Sequence, residues 1–325
     1  MVHNYPTTPR ALVYSGAGAG SRSVNSAVDA LRKSLNPSKV RSVETIDAES
    51  VLTSNWESDC IVFVMPGGAD LPYCRDLGKT IQCEDGTVSG IKKIKRWVEE
   101  DGGFYLGLCA GAYFASGMVE FERGNGAMEV VGERELKFYK GTAKGAVFPG
   151  FCYETEAGAV AAHVRYVDPE SSLDACGRIR DDIPVQWKSC RDYVNGGPYW
   201  LCQNNTETLR INSVDTGADV EILATYPEKN HAAAAIRCPV GKGLAVLCSS
   251  HPELDSETYL HGAVEMISDH VERLKQDIGH PDLSHNQAYL QHVQKLVQTL
   301  DCNANKRKDL FRLLLSAGGL KTYLR

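Results

Sequence analysis

Residues 104–112 read Phe104-Tyr105-Leu106-Gly107-Leu108-Cys109-Ala110-Gly111-Ala112, and this stretch sets how the rest of the chain is read. An apolar run of strand length passes without a linker into a Gly-x-Cys-x-Gly turn and then into small residues that suit a helix. A strand-to-helix turn of this kind holds its central residue in a strained conformation, and only small neighbours let the backbone fold so tightly. That accounts for a glycine on each side of Cys109. The thiol then stands above the end of a strand, facing the N–H groups of a helix that begins at Ala110. The competing reading is a buried structural cysteine, since free cysteines are among the most buried residues.

Upstream, strand and helix patterns alternate, which is the signature of a parallel sheet covered by crossover helices. Ala11-Leu12-Val13-Tyr14 reads as a first strand, followed by the turn Gly16-Ala17-Gly18-Ala19-Gly20 and a helix through Val24, Ala27, Val28, Leu31 and Leu35 that Asn36-Pro37 ends. A second strand covers Val40 to Ile46. Ile61 to Met65 is a third, its unbroken apolar run suiting burial on both faces, and Pro66-Gly67-Gly68 stops it. Val88, Ile91, Ile94 and Val98 mark one face of a helix leading into the Phe104 strand.

Downstream, residues 120–226 weaken into short strands with turns such as Asn195-Gly196-Gly197-Pro198, expected as β-rich insertions. Ala232 to Ile236 and Leu244 to Cys248 flank a hairpin turn at Pro239 to Gly243. Beyond Leu254 the pattern is helical: a stripe of Tyr259, Ala263, Met266, Ile267, Val271 and Leu274, a break at Gly279-His280-Pro281, then segments 288–300 and 308–315. The expected architecture is α/β: a mostly parallel sheet with helices on both faces, β-rich insertions and a C-terminal helical cap. One domain over residues 1–275 carries a helical extension, 276–325, packed against it.

The composition narrows the function classes. The 325 residues carry 35 Lys and Arg against 41 Asp and Glu, a formal charge of −6, and 43% apolar side chains. That is a globular balance, and it excludes disorder and collagen-like repeats. Net negative charge repels phosphate backbones, and the longest basic run is Lys306-Arg307-Lys308, so no nucleic-acid partner is expected. Eleven cysteines without a Cys-x-x-Cys pair suit a reducing compartment. The polar stretch Met1 to Arg10 holds no apolar signal core, and no apolar run approaches the ~20 residues of a membrane span. A soluble, cytoplasmic protein with no membrane contact is expected. Asn204-Asn205-Thr206 fits the glycosylation pattern and is read as a chance match in a surface turn.

His251-Pro252-Glu253 follows the last expected sheet strand, so a parallel topology brings it to the edge that carries Cys109. Residues two apart in an extended segment face the same way, so Glu253 can hold one imidazole nitrogen of His251 while the other meets the thiol. Alone, the tripeptide is best read as a surface turn; with the elbow it becomes a Cys–His–Glu relay. The turn Met65-Pro66-Gly67-Gly68-Ala69-Asp70 lies at the carboxyl end of a strand, where open α/β sheets bind ligands, and its Gly68 N–H is paired with the Ala110 N–H as an oxyanion hole. Two further patterns carry nothing. The third glycine that Gly16-x-Gly18 would need for dinucleotide binding falls on Ser21, and His261, Glu265 and His270 match no ligand spacing. Neither cofactor nor metal is expected.

The elbow, the His-Pro-Glu and the Pro-Gly-Gly turn together resemble the class I glutamine amidotransferase superfamily. More narrowly, residues 65–73 and 103–111, Glu129-Val130-Val131-Gly132, Glu156-Ala157-Gly158-Ala159 and Asn195-Gly196-Gly197 resemble the amidotransferase-like N-terminal region of fungal biotin–protein ligases. The likeness spans roughly residues 10 to 255, with several unrelated motifs in the same order. It implies a flavodoxin-like sheet with Cys109, His251 and Glu253 as a triad. Glutamine-hydrolysing members carry Gly-x-Cys-x-Gly-x-Gln, and Tyr113 stands where that glutamine would be. The Gly-Arg-Gly-Arg type loop and Lys-Trp-Pro-Asn type strand of a biotin ligase catalytic domain do not occur before Arg325, so the chain is expected not to biotinylate by itself.

The resulting expectation is a cysteine-dependent amide hydrolase or amidotransferase-like protein acting on a small amide or peptide-like molecule, with Asp70, Tyr73, Tyr113, Glu156 and Asn195 as pocket walls. The rival is a non-catalytic module that senses a metabolite or docks onto a ligase-type protein partner. A ThiJ/PfpI-like cysteine hydrolase ranks last, because that group places its histidine directly after the cysteine, where Ala110 stands.

Overall fold

The structure is a computed structural model that describes residues 8–83, 86–152, 155–201, 210–211, 220–254 and 283–325. The stripe at 259–274, the trio His261, Glu265 and His270, and Asn204-Asn205-Thr206 fall outside the described residues.

Nine strands make the main path of the central sheet: β1 (Arg10–Tyr14), β2 (Ser42–Ile46), β3 (Cys60–Met65), β4 (Phe104–Leu108), β5 (Val160–Val167), β6 (Trp187–Val194), β7 (Val220–Tyr226), β8 (Ala232–Val240) and β9 (Gly243–Cys248). They lie in the order β6-β5-β7-β8-β9-β4-β3-β1-β2, with Arg210–Ile211 beside β7. From β2 to β9 every pairing is parallel, in the order second, first, third, fourth, last that defines the flavodoxin-like arrangement. Beyond β9 every pairing is antiparallel. The expected flavodoxin-like sheet is therefore the parallel half. Part of the β-rich stretch extends that sheet as β5, β6 and β7, and another part folds back as a small sheet of Ser116–Phe121, Val130–Glu133 and Tyr139–Gly145.

Besides a single turn at Pro169–Ser172, the α-helices among the described residues are α1 (Ser21–Ser34), α2 (Ala48–Thr53), α3 (Asp70–Leu77), α4 (Gly90–Glu99), α5 (Ala110–Phe114), α6 (Leu283–Asp301) and α7 (Ala304–Leu315). Successive strand residues point to opposite faces. Ala11, Val13, Val62 and Val64 meet Ala27 and Leu31 of α1 and Leu310 and Leu314 of α7 in one core, while Leu12, Tyr14, Phe63 and Met65 meet Ile91, Ile94 and Trp97 of α4 in the other. Each such side chain contributes about 1.5–3 kcal/mol when fully buried, so strands buried on both faces must be apolar throughout. Ser89 caps α4 by accepting from the Lys92 N–H at 3.2 Å, which is why that helix starts after Val88 rather than at it. The short α2 and α3 were not foreseen, because six and eight residues hold too little of a helical period to stand out. No helix among the described residues is long and apolar enough to cross a membrane.

Candidate functional site

The site forms where β3, β4 and β9 end together. In the parallel register Cys248 of β9 pairs with Leu108 of β4, so the residues just beyond each strand leave the sheet at the same height. The Cys109 N–H donates to Cys248 O at 2.8 Å, and His251 follows three residues after Cys248. The loop after β3 joins them: the Gly111 N–H donates to Pro66 O at 3.1 Å.

Cys109 is the strained residue of the elbow, at φ 48° and ψ −103°, a region that a side chain enters only when its surroundings compel it. A Cβ on Gly111 would collide with Met65 O, and one on Gly107 would meet Gly111 O at 2.6 Å, so both glycines are set by backbone crossing. Helix α5 has five residues, so few peptide dipoles sum toward the thiol. Cys109 is 7% exposed, and its Sγ faces Asn195 O at 3.9 Å.

His251 is held from several sides. Nδ1 and Glu253 Oε1 lie 2.7 Å apart. Cys109 is the second charged group that acts on the ring, raising its pKa alongside Glu253. The His251 N–H donates to Tyr193 O at 2.9 Å, and the Tyr193 ring stands edge-on to the imidazole with centroids 5.6 Å apart. Its carbonyl accepts from Arg307 Nη2 at 2.9 Å.

Burial alone would lower the imidazole pKa, but the charges and hydrogen bonds of Glu253 and Cys109 outweigh it and hold His251 well above the ordinary 6.5. The folded chain thus binds that proton more tightly than the unfolded chain. The associated stability is fully present below about 6.5 and is lost as pH rises through the elevated folded value. Thermal melts from about pH 6 to pH 9 should show a falling Tm in the wild type and a shallower fall in His251→Gln.

Ser23 and Arg307 escaped the sequence reading, and Gly67 was named there only as part of the turn. Ser23 of α1 donates to Glu253 Oε1 at 3.1 Å and accepts the Gly67 N–H at 2.9 Å, tying the carboxylate to the loop after β3. Gly67 leaves room for the imidazole, since a Cβ there would strike the His251 ring. Arg307 is 2% exposed and donates Nε to Asp192 Oδ1 at 2.7 Å. No local pattern marks Ser23. Arg307, by contrast, shares a helical face with Leu310, Phe311 and Leu314 at spacings of three, four and seven, so its burial was legible in the periodicity.

Gly68 bridges Ala19 through the flanking bonds Gly20 N–H to Gly67 O and Ala69 N–H to Gly18 O, so its own N–H faces away from that loop. Among the described residues, neither the Gly68 nor the Ala110 N–H has a protein acceptor, and both residues line the cavity that holds Cys109. At φ 148° a Cβ on Gly68 would collide with Gly18 O. Gly68→Ala should cost about 1–3 kcal/mol by overpacking, read by urea denaturation, and should slow Cys109 chemistry as the loop shifts.

The cavity is about 40 Å³, with Val119, Phe121, Val130 and Phe151 as apolar walls. Asp70 lines it and is neutralised by Arg134 Nε at 2.8 Å. Asn195 lines it too, and its buried Oδ1 has no partner among the described residues. Tyr113 closes one side, donating to Gly196 O at 3.0 Å; burial, reinforced by Cys109, holds its phenol far above the usual value, so it stays a neutral donor.

The other two expected walls stand off this cavity. Tyr73 is fully buried beneath the loop and donates to Pro66 O at 3.2 Å. Glu156 accepts from Tyr193 Oη at 2.6 Å and lies 3.5 Å from Arg22, so it braces the residue that packs edge-on against His251. Both act on the site through its supports.

Residues 10–323 match the family model described as "Biotin-protein ligase, N terminal". A biotin–protein ligase of Schizosaccharomyces pombe is 34% identical over 248 residues, covering 76% of this chain and 33% of that protein. The chain thus spans about a third of that relative's length. An uncharacterized protein of Chlamydia muridarum is 32% identical over 246 residues, covering 75% of this chain and 80% of that one. Among solved structures, a glutamine amidotransferase is similar at 17% identity and a TM-score of 0.40, covering 77% of this chain and 94% of its own.

Proposed function

The chain belongs to the biotin-protein ligase N-terminal family, and from that premise we propose that it is a cysteine-dependent amide hydrolase of amidotransferase-like type, acting on a small amide or peptide-like molecule in the cytoplasm. His251 draws the proton from Cys109, and the thiolate attacks the amide carbonyl. The Gly68 and Ala110 N–H groups receive the oxyanion. As the C–N bond breaks, His251 returns the proton to the departing amine and leaves a thioester on Cys109. Water, deprotonated by His251, then adds to the thioester; the acid departs and the thiol is restored.

One observation carries this reading: the only strained cysteine among the described residues lies close enough to His251 to raise its pKa, and the Nδ1 of that imidazole lies 2.7 Å from a buried carboxylate. The apolar walls and the unpartnered Asn195 Oδ1 favour an amide with a compact apolar acyl group and an N–H to donate. Incubation with a panel of small primary amides, followed by intact-protein mass spectrometry, should reveal an acyl adduct confined to Cys109. No adduct across the panel, with a thiol inert to electrophiles, would instead favour the second reading.

That second reading is a binding or regulatory module that senses a metabolite or docks onto a ligase-type protein. Tyr113 favours it, because its ring occupies the position of the family's pocket glutamine and leaves only about 40 Å³ above the sulfur.

A further inference from the structure

Behind the relay, between α1 and α7, lies a second cavity of about 210 Å³ that shares no lining residue with the one above Cys109. A dry engineered cavity of roughly 150 Å³ already admits benzene, so this one has room for a small organic molecule. Ala30, Leu254 and Phe311 give it apolar walls.

Its charged lining is five Lys or Arg side chains against three carboxylates. Asp29 lies 3.9 Å from Arg32, Asp309 3.5 Å from Lys188, and Glu253 holds His251 through Oε1, its buried Oε2 having no partner among the described residues. Arg312 and Arg325 are hydrogen-bonded elsewhere, and two other cations are less fully used. Lys308 has no hydrogen-bonding or ionic partner among the described residues, and Arg307 spends Nε and Nη2 on Asp192 and His251 O while Nη1 has none. The two residues that grip His251, Glu253 at its ring and Arg307 at its carbonyl, both line this cavity.

We propose that the cavity binds a small carboxylate with an apolar body, its charged end on Arg307 and Lys308, and that occupancy adjusts His251 through Arg307. Guanidinium forks suit carboxylates, and the apolar walls reject a strongly hydrated anion such as phosphate. The regulatory half rests on the hydrolase reading; the binding half does not.

Calorimetric titration of the full chain with benzoate and hexanoate tests it, with inorganic phosphate as the control. Saturable binding of a carboxylate is expected, weakened at least tenfold by Lys308→Glu and by the cavity-filling Ala30→Phe, unchanged in Cys109→Ala, and absent for phosphate. Saturating carboxylate should change the rate of Cys109 alkylation by iodoacetamide at least twofold in the wild type and not in those two variants. No saturable heat from either acid, equal affinity in both variants, or equal binding of phosphate overturns the site. Binding without any change in alkylation overturns the coupling. Alkylation that is indifferent to His251→Ala removes the hydrolase reading and leaves the calorimetric result to decide the pocket.

Discussion

Cys109→Ala is expected to abolish every amide turnover the wild-type chain shows and to remove one site of rapid labelling by iodoacetamide. The background is informative, because Cys152, Cys176 and Cys302 are exposed and free, whereas Cys109 is buried. Access alone predicts that those three react first. Pairing with His251 predicts the opposite order, since the thiolate is the nucleophile and the imidazole is placed to take its proton. Site-resolved mass spectrometry should therefore find Cys109 alkylated ahead of the exposed three. His251→Ala should slow both alkylation and turnover by ~10²–10⁴, the range for losing a general base. Glu253→Gln keeps the shape and removes the charge that holds the imidazole, so it should fall between. Undiminished turnover in Cys109→Ala, or Cys109 alkylated last, would end the enzymatic account.

Arg307→Met should produce the largest loss of stability. The side chains of Arg307 and Asp192 are 2% and 0% exposed, their Nε–Oδ1 distance is 2.7 Å, and Asp192 Oδ2 already lacks a partner among the described residues. Removing the guanidinium strands a buried carboxylate, which typically costs about 3–5 kcal/mol. It also frees the His251 carbonyl that Arg307 Nη2 holds. Urea denaturation should report that loss for Arg307→Met and a comparable one for Asp192→Leu. The double variant should lose far less than the sum, because an apolar pair strands no charge. Additive losses, or a change under about 1 kcal/mol in Arg307→Met, would show that the pair does not clamp α7 to β6 and the His251 segment.

Much of the arrangement was legible because its signals are local. Alternation of apolar runs and helical stripes located β1, β3, β4, β9, α1 and α4 to within a few residues, and the glycines around Cys109 located the elbow, since backbone crossing there tolerates no side chain. The hairpin was found as well, although the turn narrows to Gly241 and Lys242 as β8 runs on to Val240. The same local reasoning misplaced Tyr73 and Glu156. Burial and hydrogen bonding, invisible in a string of letters, make them supports of the site rather than walls of its cavity. It also registered Lys306-Arg307-Lys308 only as the longest basic run, whereas α7 buries the middle residue.

Residue order thus established the parallel half of the sheet, the strained thiol and the nature of its candidate partners, because strand pleat, helical period and turn chemistry act over a few neighbouring residues. The meeting of Cys109 with His251 comes instead from the register of β9 against β4, and the anchoring of His251 from Ser23, Gly67, Tyr193 and Arg307. Those contacts join residues up to 230 positions apart. Hydrophobic burial, which is non-directional, draws such segments together; the directional fit of hydrogen bonds and paired charges then selects which side chains touch.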